Sequence, residues 1–124
     1  MARILLIEDN DALRTILAEH ISLAGHDVIE AVDGREGLIR FREAGADLVV
    51  TDLVMPETEG FEVLRALRNE QPPVKVIVIS GGWLGSGKDY LAMAMVLGAS
   101  KVFLKPFSPG VLIAAIDELL PGDS

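Results

Sequence analysis

Residues 47–52 read Asp-Leu-Val-Val-Thr-Asp. Leu48, Val49 and Val50 are consecutive apolar residues between two carboxylates. A strand with one solvated face alternates apolar and polar residues, so a continuous apolar run marks a strand buried on both faces. Working outward, strand candidates also occur at Arg3–Ile7, Asp27–Ala31, Val74–Ile79 and Lys101–Leu104, most of them dense in Ile, Val and Leu rather than strictly alternating, with the third strand itself at Asp47–Thr51. Strands covered on both faces are parallel, and parallel strands need crossover helices between them.

The intervening stretches carry helical spacing. Leu13, Ile16, Leu17, Ile21 and Ala24 recur on one stripe with Gly25 behind as a stop. Leu38 and Phe41 mark a second helix ended by Gly45, and Phe61, Leu64 and Leu67 a third ended before Pro72-Pro73. A fourth runs from about Lys88 to Leu97 before Gly98. A fifth carries Val111, Leu112, Ala115, Ile116 and Leu119 and stops at Pro121-Gly122. Five βα units in 124 residues predict one α/β domain over residues 1–124, a doubly wound parallel sheet with helices on both faces.

Composition narrows the function. Half of the residues are hydrophobic, enough for one core, and the formal net charge is −8. That charge argues against nucleic acid and against an anionic membrane surface, both of which need a basic patch. There is no cysteine, hence no disulfide and no thiolate chemistry. No apolar run approaches the roughly 18–20 residues of a membrane span. The chain enters its first strand directly after Met1-Ala2, so the expected location is cytoplasmic. His20, near the core stripe of the first helix, and His26, in a turn, are read as structural.

The chemistry lies at the strand ends. The first strand ends in Glu8-Asp9, the third in Asp52, the fourth in Ser80 and the fifth in Lys105. In an open parallel sheet the C-terminal strand ends share one edge, where ligands bind. Alone, an aspartate after a strand would read as a helix cap or a turn, Ser80 as a turn, and Lys105 as a strand-end lysine whose stem snorkels. Together they form one reactive set. Three carboxylates brought close repel, and a divalent cation relieves them; an all-oxygen donor set favours Mg²⁺. An aspartate can accept a phosphoryl group covalently. Lys105 would offset the charge of that group and Ser80 would hydrogen-bond it, which is what phosphoryl transfer requires.

These motifs resemble the response-regulator receiver domain of two-component signalling, in its stand-alone chemotaxis-type form, over nearly the whole chain. The carrying residues are Ile7-Glu8-Asp9, Val49-Val50-Thr51-Asp52-Leu53-Val54-Met55-Pro56, Gly60, Ser80-Gly81, Gly98-Ala99 and Lys105-Pro106-Phe107. The resemblance implies a flavodoxin-like (βα)5 sandwich with strand order 2-1-3-4-5. It implies Asp52 as phosphoacceptor, Ser80 and Lys105 as catalytic and switch residues, and Mg²⁺ held by Glu8, Asp9, Asp52 and the Val54 backbone carbonyl. It implies a cis Lys105–Pro106 bond. The expected activity is a phosphorelay switch, not a conventional enzyme, that catalyses its own phosphorylation and dephosphorylation. Its phosphodonor is a sensor histidine kinase or a histidine phosphotransfer protein.

Two features depart from the family pattern. The position three before Lys105, usually aromatic, is Val102, and Phe103 follows it on the opposite sheet face. The stretch from Ser80 to Lys105 is longer than usual, with the surplus in the glycine-rich run Gly81–Gly87. Tyr90 to Leu97 carries no charge, which points to a buried helix or to a Met-rich partner surface. The latter reading takes Trp83, Tyr90, Met93, Val96 and Phe103 as a face for a downstream protein or a second copy.

Other readings fit less well. Gly82 to Lys88 has the form G-x-x-x-x-G-K, but Asp89 stands where a P-loop needs Ser or Thr. A haloacid-dehalogenase-like phosphatase would use Asp9-Asn10-Asp11 but would leave Asp52 idle, and Asp117-Glu118 falls within a helix. A phosphorylation-independent binding scaffold on the same fold would be expected to lack at least one of Glu8, Asp9, Asp52, Ser80 and Lys105.

Overall fold

The computed structural model describes residues 2–52, 57–70, 74–80, 98–105 and 107–120, with the side chains of 57–61, 80 and 104 outside that set. The elements are β1 (Arg3–Ile7), α1 (Asp11–Leu23), β2 (Asp27–Ala31), α2 (Gly34–Ala44), β3 (Leu48–Asp52), α3 (Glu57–Arg68), β4 (Lys75–Ser80), β5 (Lys101–Leu104) and α4 (Pro109–Leu119). The helix expected between Lys88 and Leu97 and the glycine-rich run before it lie outside the described residues.

The five strands form one sheet in the order β2-β1-β3-β4-β5, with every neighbouring pair parallel. This is the expected flavodoxin-like order. Alternate residues of the central strands feed two separate cores. Leu5, Ile7, Val49, Val76 and Val78 pack with Val63, Leu64 and Leu67 of α3, and Leu38 and Phe41 of α2 close over them. Ile4, Leu6, Leu48, Val50, Ile77 and Ile79 point the other way, onto Leu17, Ala18 and Ile21 of α1 and Leu112, Ala115 and Ile116 of α4. Each fully buried large side chain contributes about 1.5–3 kcal/mol before ordering costs. β2 lies at the edge, and its Asp27 and Glu30 are exposed, as suits a strand that must not pair further.

Local chemistry starts and stops the helices. The Asn10 side chain accepts from Leu13 N–H at the start of α1. At α2, Asp33 accepts from Glu36 N–H while Glu36 reaches back to Val32 N–H, close to a capping box. Gly25 follows α1 at φ 98°, a conformation that a residue with a Cβ adopts only at a cost.

Three details differ from the sequence expectation. β3 and β4 each begin and end one residue later than Asp47–Thr51 and Val74–Ile79. Asp47 stands just before β3, tied to Arg3 by its own N–H, which donates to the Arg3 carbonyl at 2.8 Å, and by its carboxylate, which accepts from the Arg3 N–H at 2.8 Å; Asp52 pairs in register with Ile79. Ile16 is 48% exposed because Leu17, Ala18 and Ile21 form the actual core stripe of α1. His20 is also exposed, its Nδ1 lying 2.9 Å from the Ile16 carbonyl oxygen.

Candidate functional site

β1 and β3 are neighbours at the centre of the sheet, so the residues at their C-terminal ends meet. Glu8 follows β1, and its N–H donates to the Ala31 carbonyl at 3.0 Å. The Glu8 side chain is completely buried, and Asp52, the last residue of β3, is 2% exposed. Asp9 follows Glu8 and is exposed. Lys105 follows β5, two strands away from β3, and its long stem carries the ammonium across β4. Nζ donates to Asp52 Oδ2 at 2.7 Å and to Glu8 Oε1 at 3.0 Å. The other Glu8 oxygen, Oε2, accepts from Asn10 N–H at 3.0 Å.

Burial pushes the Glu8 carboxyl up from 4.5 to about 7, and the Asp52 charge adds to the rise. The Asn10 N–H and Lys105 work against it without cancelling it. For Lys105, burial acts to lower the pKa. The hydrogen bonds and charges of Asp52 and Glu8 outweigh burial, and the net direction is upward. Lys105 is therefore a stable cation held against the two buried acids.

One carboxylate oxygen each from Glu8, Asp9 and Asp52 lies within 4.8 Å of the others. Oxygens sharing one Mg²⁺ at its usual bond lengths stand roughly 3–4 Å apart, so small side-chain adjustments suffice. All three donors are hard oxygens, and among the described residues Lys105 is the one ammonium bonded to them, one positive charge against three carboxyl groups. The residues present fit a Mg²⁺ ion on both counts.

Of the remaining expected residues, Ser80 ends β4 opposite Leu104, with its backbone at the same sheet edge. Its hydroxyl, Val54, Pro106, Trp83, Tyr90, Met93 and Val96 lie outside what the structure describes, and with Pro106 the expected cis bond. Phe103 is half-buried on the α1/α4 side, its ring stacked on Phe107 at 6.0 Å between centroids, while Val102 packs on the α2/α3 side. Asp11 does not join the acidic group; its carboxylate pairs with Arg14 at 2.7 Å. Asp117 and Glu118 pair with His26 and Lys101 near the opposite edge of the sheet.

Two contributors escaped the sequence reading. Asn10 was legible in principle as a helix cap preceding an apolar-periodic run. Arg14 is a basic residue near a helix N-terminus, where the helix dipole disfavours positive charge; that misplacement was its signal.

A family model described as "Response regulator receiver domain" matches residues 4–117. The "Probable transcriptional regulator ycf27" of Porphyridium aerugineum is 39% identical over 118 residues, covering 95% of this chain and 48% of that protein. The "Chemotaxis protein CheY" of Thermotoga maritima is 30% identical, covering 94% of this chain and 96% of that one. The chain thus spans about half the length of the ycf27 relatives and nearly all of the chemotaxis protein. Among solved structures, a response regulator receiver domain protein from Clostridium thermocellum superposes with a TM-score of 0.84 at 31% identity, covering 95% of this chain and 93% of that one. The chemotaxis response regulator CheY4 of Vibrio cholerae gives 0.82 at 27% identity, with 97% and 99% covered.

Proposed function

Since the chain belongs to the response regulator receiver domain family of two-component signalling, we propose that it is a phosphoacceptor switch whose acceptor is Asp52. The observation that carries this reading is the Lys105 ammonium, bonded at once to Asp52 and Glu8 inside a group of three carboxylates. A carboxylate held by a fixed cation at a sheet edge is prepared for added negative charge.

In the proposed reaction an Asp52 carboxylate oxygen attacks the phosphorus of a phosphohistidine on a kinase or phosphotransfer protein. The O–P bond forms, the P–N bond breaks, and the imidazole nitrogen keeps the electron pair. Mg²⁺, held by Glu8, Asp9, Asp52 and the Val54 carbonyl, would supply charge neutralisation when bound. Lys105 would follow the charge from the carboxylate to the new phosphoryl oxygens, and the Ser80 hydroxyl would donate to one of them.

The added group brings roughly −1.5 to −2 charge. To switch the population it must favour one arrangement over another by a few kcal/mol. Output is assigned to protein contacts of the 81–120 face, with Trp83, Tyr90, Met93, Val96 and Phe103 as its apolar residues, toward a downstream protein or a second copy. Nucleic acid and membrane are not proposed as partners, and the proposed compartment is the cytoplasm. Among the described residues no helix is long and apolar enough to cross a membrane.

The test is intact-mass spectrometry after incubation with Mg²⁺ and acetyl phosphate, beside Asp52→Asn. One Mg²⁺-dependent phosphoryl adduct on the wild type alone is expected. No adduct, with Mg²⁺ binding established, would leave a phosphorylation-independent scaffold. Steady release of phosphate without an adduct would point to a phosphatase.

A further inference from the structure

Among the described residues near the acidic group, Arg14 makes three side-chain hydrogen bonds, and none of them goes to the carboxylate oxygens of Glu8, Asp9 or Asp52. Its Nη1 donates to the backbone carbonyl of Glu8 at 2.8 Å, its Nη2 to Asp11 Oδ1 at 2.7 Å and its Nε to Glu30 Oε1 at 3.3 Å. The side chain is 14% exposed although it stems from the first turns of a surface helix. Its own N–H makes the first helical bond of α1, to the Asn10 carbonyl at 2.9 Å. One planar guanidinium therefore ties together the end of β1, the start of α1 and the neighbouring edge strand β2.

The segment so held is the turn that carries Glu8 and Asp9. Glu8 reaches inward to Lys105, while Asp9 is exposed at the next position. With Asp52 close to both, mutual repulsion tends to splay this turn outward. The Glu8 carbonyl lies beyond the last β1–β2 register pair, Ile7 with Ala31, so Arg14 supplies a bond there that the ladder does not. An arginine suits the task because its donors form a rigid fork, whereas a lysine is a point charge on a flexible stem.

We propose that Arg14 is a positioning residue for the divalent-cation site: it fixes the Glu8–Asp9 turn so that the two carboxylates converge with Asp52. This rests on the reading of Glu8, Asp9 and Asp52 as a cation site. Groups that orient metal ligands typically cost about tenfold or more in metal affinity when removed, and that is the loss expected here.

The experiment measures Mg²⁺ affinity by titration calorimetry for the wild type, Arg14→Gln, Arg14→Lys and Glu30→Gln, together with amide hydrogen exchange of the metal-free proteins. Arg14→Gln should bind Mg²⁺ about tenfold more weakly and exchange faster at the Asn10 and Leu13 amides, whose bonds hold the turn. Arg14→Lys should recover only part of the affinity, since it restores charge but not the fork. Glu30→Gln loosens one outer leg and should change affinity less than Arg14→Gln. A folded Arg14→Gln with wild-type Mg²⁺ affinity overturns the proposal, even if its melting temperature is lower. A wild type that binds no Mg²⁺ overturns the cation-site reading itself and the proposal with it, a result distinct from an unaffected variant.

Discussion

Lys105 and Asp52 come from strands that do not touch, yet Nζ and Oδ2 lie 2.7 Å apart with the end of β4 between their strands. The ammonium also serves Glu8, so removing it takes the same cation from two buried acids at once. Lys105→Met is expected to destabilise the metal-free protein by about 3 kcal/mol near neutral pH, the low end for breaking a buried pair because Lys105 keeps some exposure. Urea unfolding checks this. Added Mg²⁺ should restore part of the loss, because a cation then faces the same carboxylates again.

The raised Glu8 carboxyl makes stability depend on pH. Its pKa is about 7 in the folded chain against 4.5 for an ordinary glutamate. Between these values the folded state holds a proton that the unfolded state has lost, so this contribution to stability falls as pH rises. The loss is complete above pH 7 and is on the order of 3 kcal/mol. Glu8→Gln cannot titrate and should lack this component. The difference in unfolding free energy between wild type and variant should therefore grow from about pH 5 to about pH 7.5, without Mg²⁺. Mg²⁺ binding needs the ionised form, so affinity should weaken as pH drops below about 7.

Gly37 brings α2 onto the sheet beside the site. A Cβ there would overlap Ile7 Cδ1 and lie 2.7 Å from its Cγ1, and Ile7 is fully buried directly before Glu8. Gly37→Ala should cost about 1–3 kcal/mol through overpacking despite its gain in helix propensity. Combining it with Ile7→Val, which removes Cδ1, should cost less than the sum of the single changes. Thermal or urea unfolding of the four proteins gives the cycle.

His26 sits between two elements, accepting from the Ala2 N–H at 3.3 Å and lying 3.2 Å from Asp117 Oδ1 on α4. Asp117 is 62% exposed, so Asp117→Asn should shift stability by less than about 1 kcal/mol. A larger shift in the urea midpoint would mean that this contact is more protected than its exposure implies.

Much of this architecture is legible in residue order. The run Leu48-Val49-Val50 identifies a strand covered on both sides, and alternation correctly sends Val102 and Phe103 to opposite layers. Glu8, Asp9, Asp52 and Lys105 were legible because the ends of parallel strands share an edge. Other details depend on side-chain bonds that periodicity does not encode. The Asp47 carboxylate takes the Arg3 N–H just before β3 begins, and Arg14 turns back onto a loop instead of following the helix stripe. Ile16 and Leu17 are adjacent apolar residues, and only the packed sheet decides which of them is core.

The edge of the sheet opposite the acids is fastened by long-range ties. Arg3 holds Asp47 and the Ala44 carbonyl, Lys101 holds Glu118, Lys75 holds the Leu119 carbonyl, and His26 touches both Ala2 and Asp117. The first and last described segments are thus near neighbours at the end remote from Asp52. A circular permutant that joins them by a short linker should still close its sheet and keep its acidic group intact, because the join falls at the end of the sheet away from Glu8, Asp9, Asp52 and Lys105.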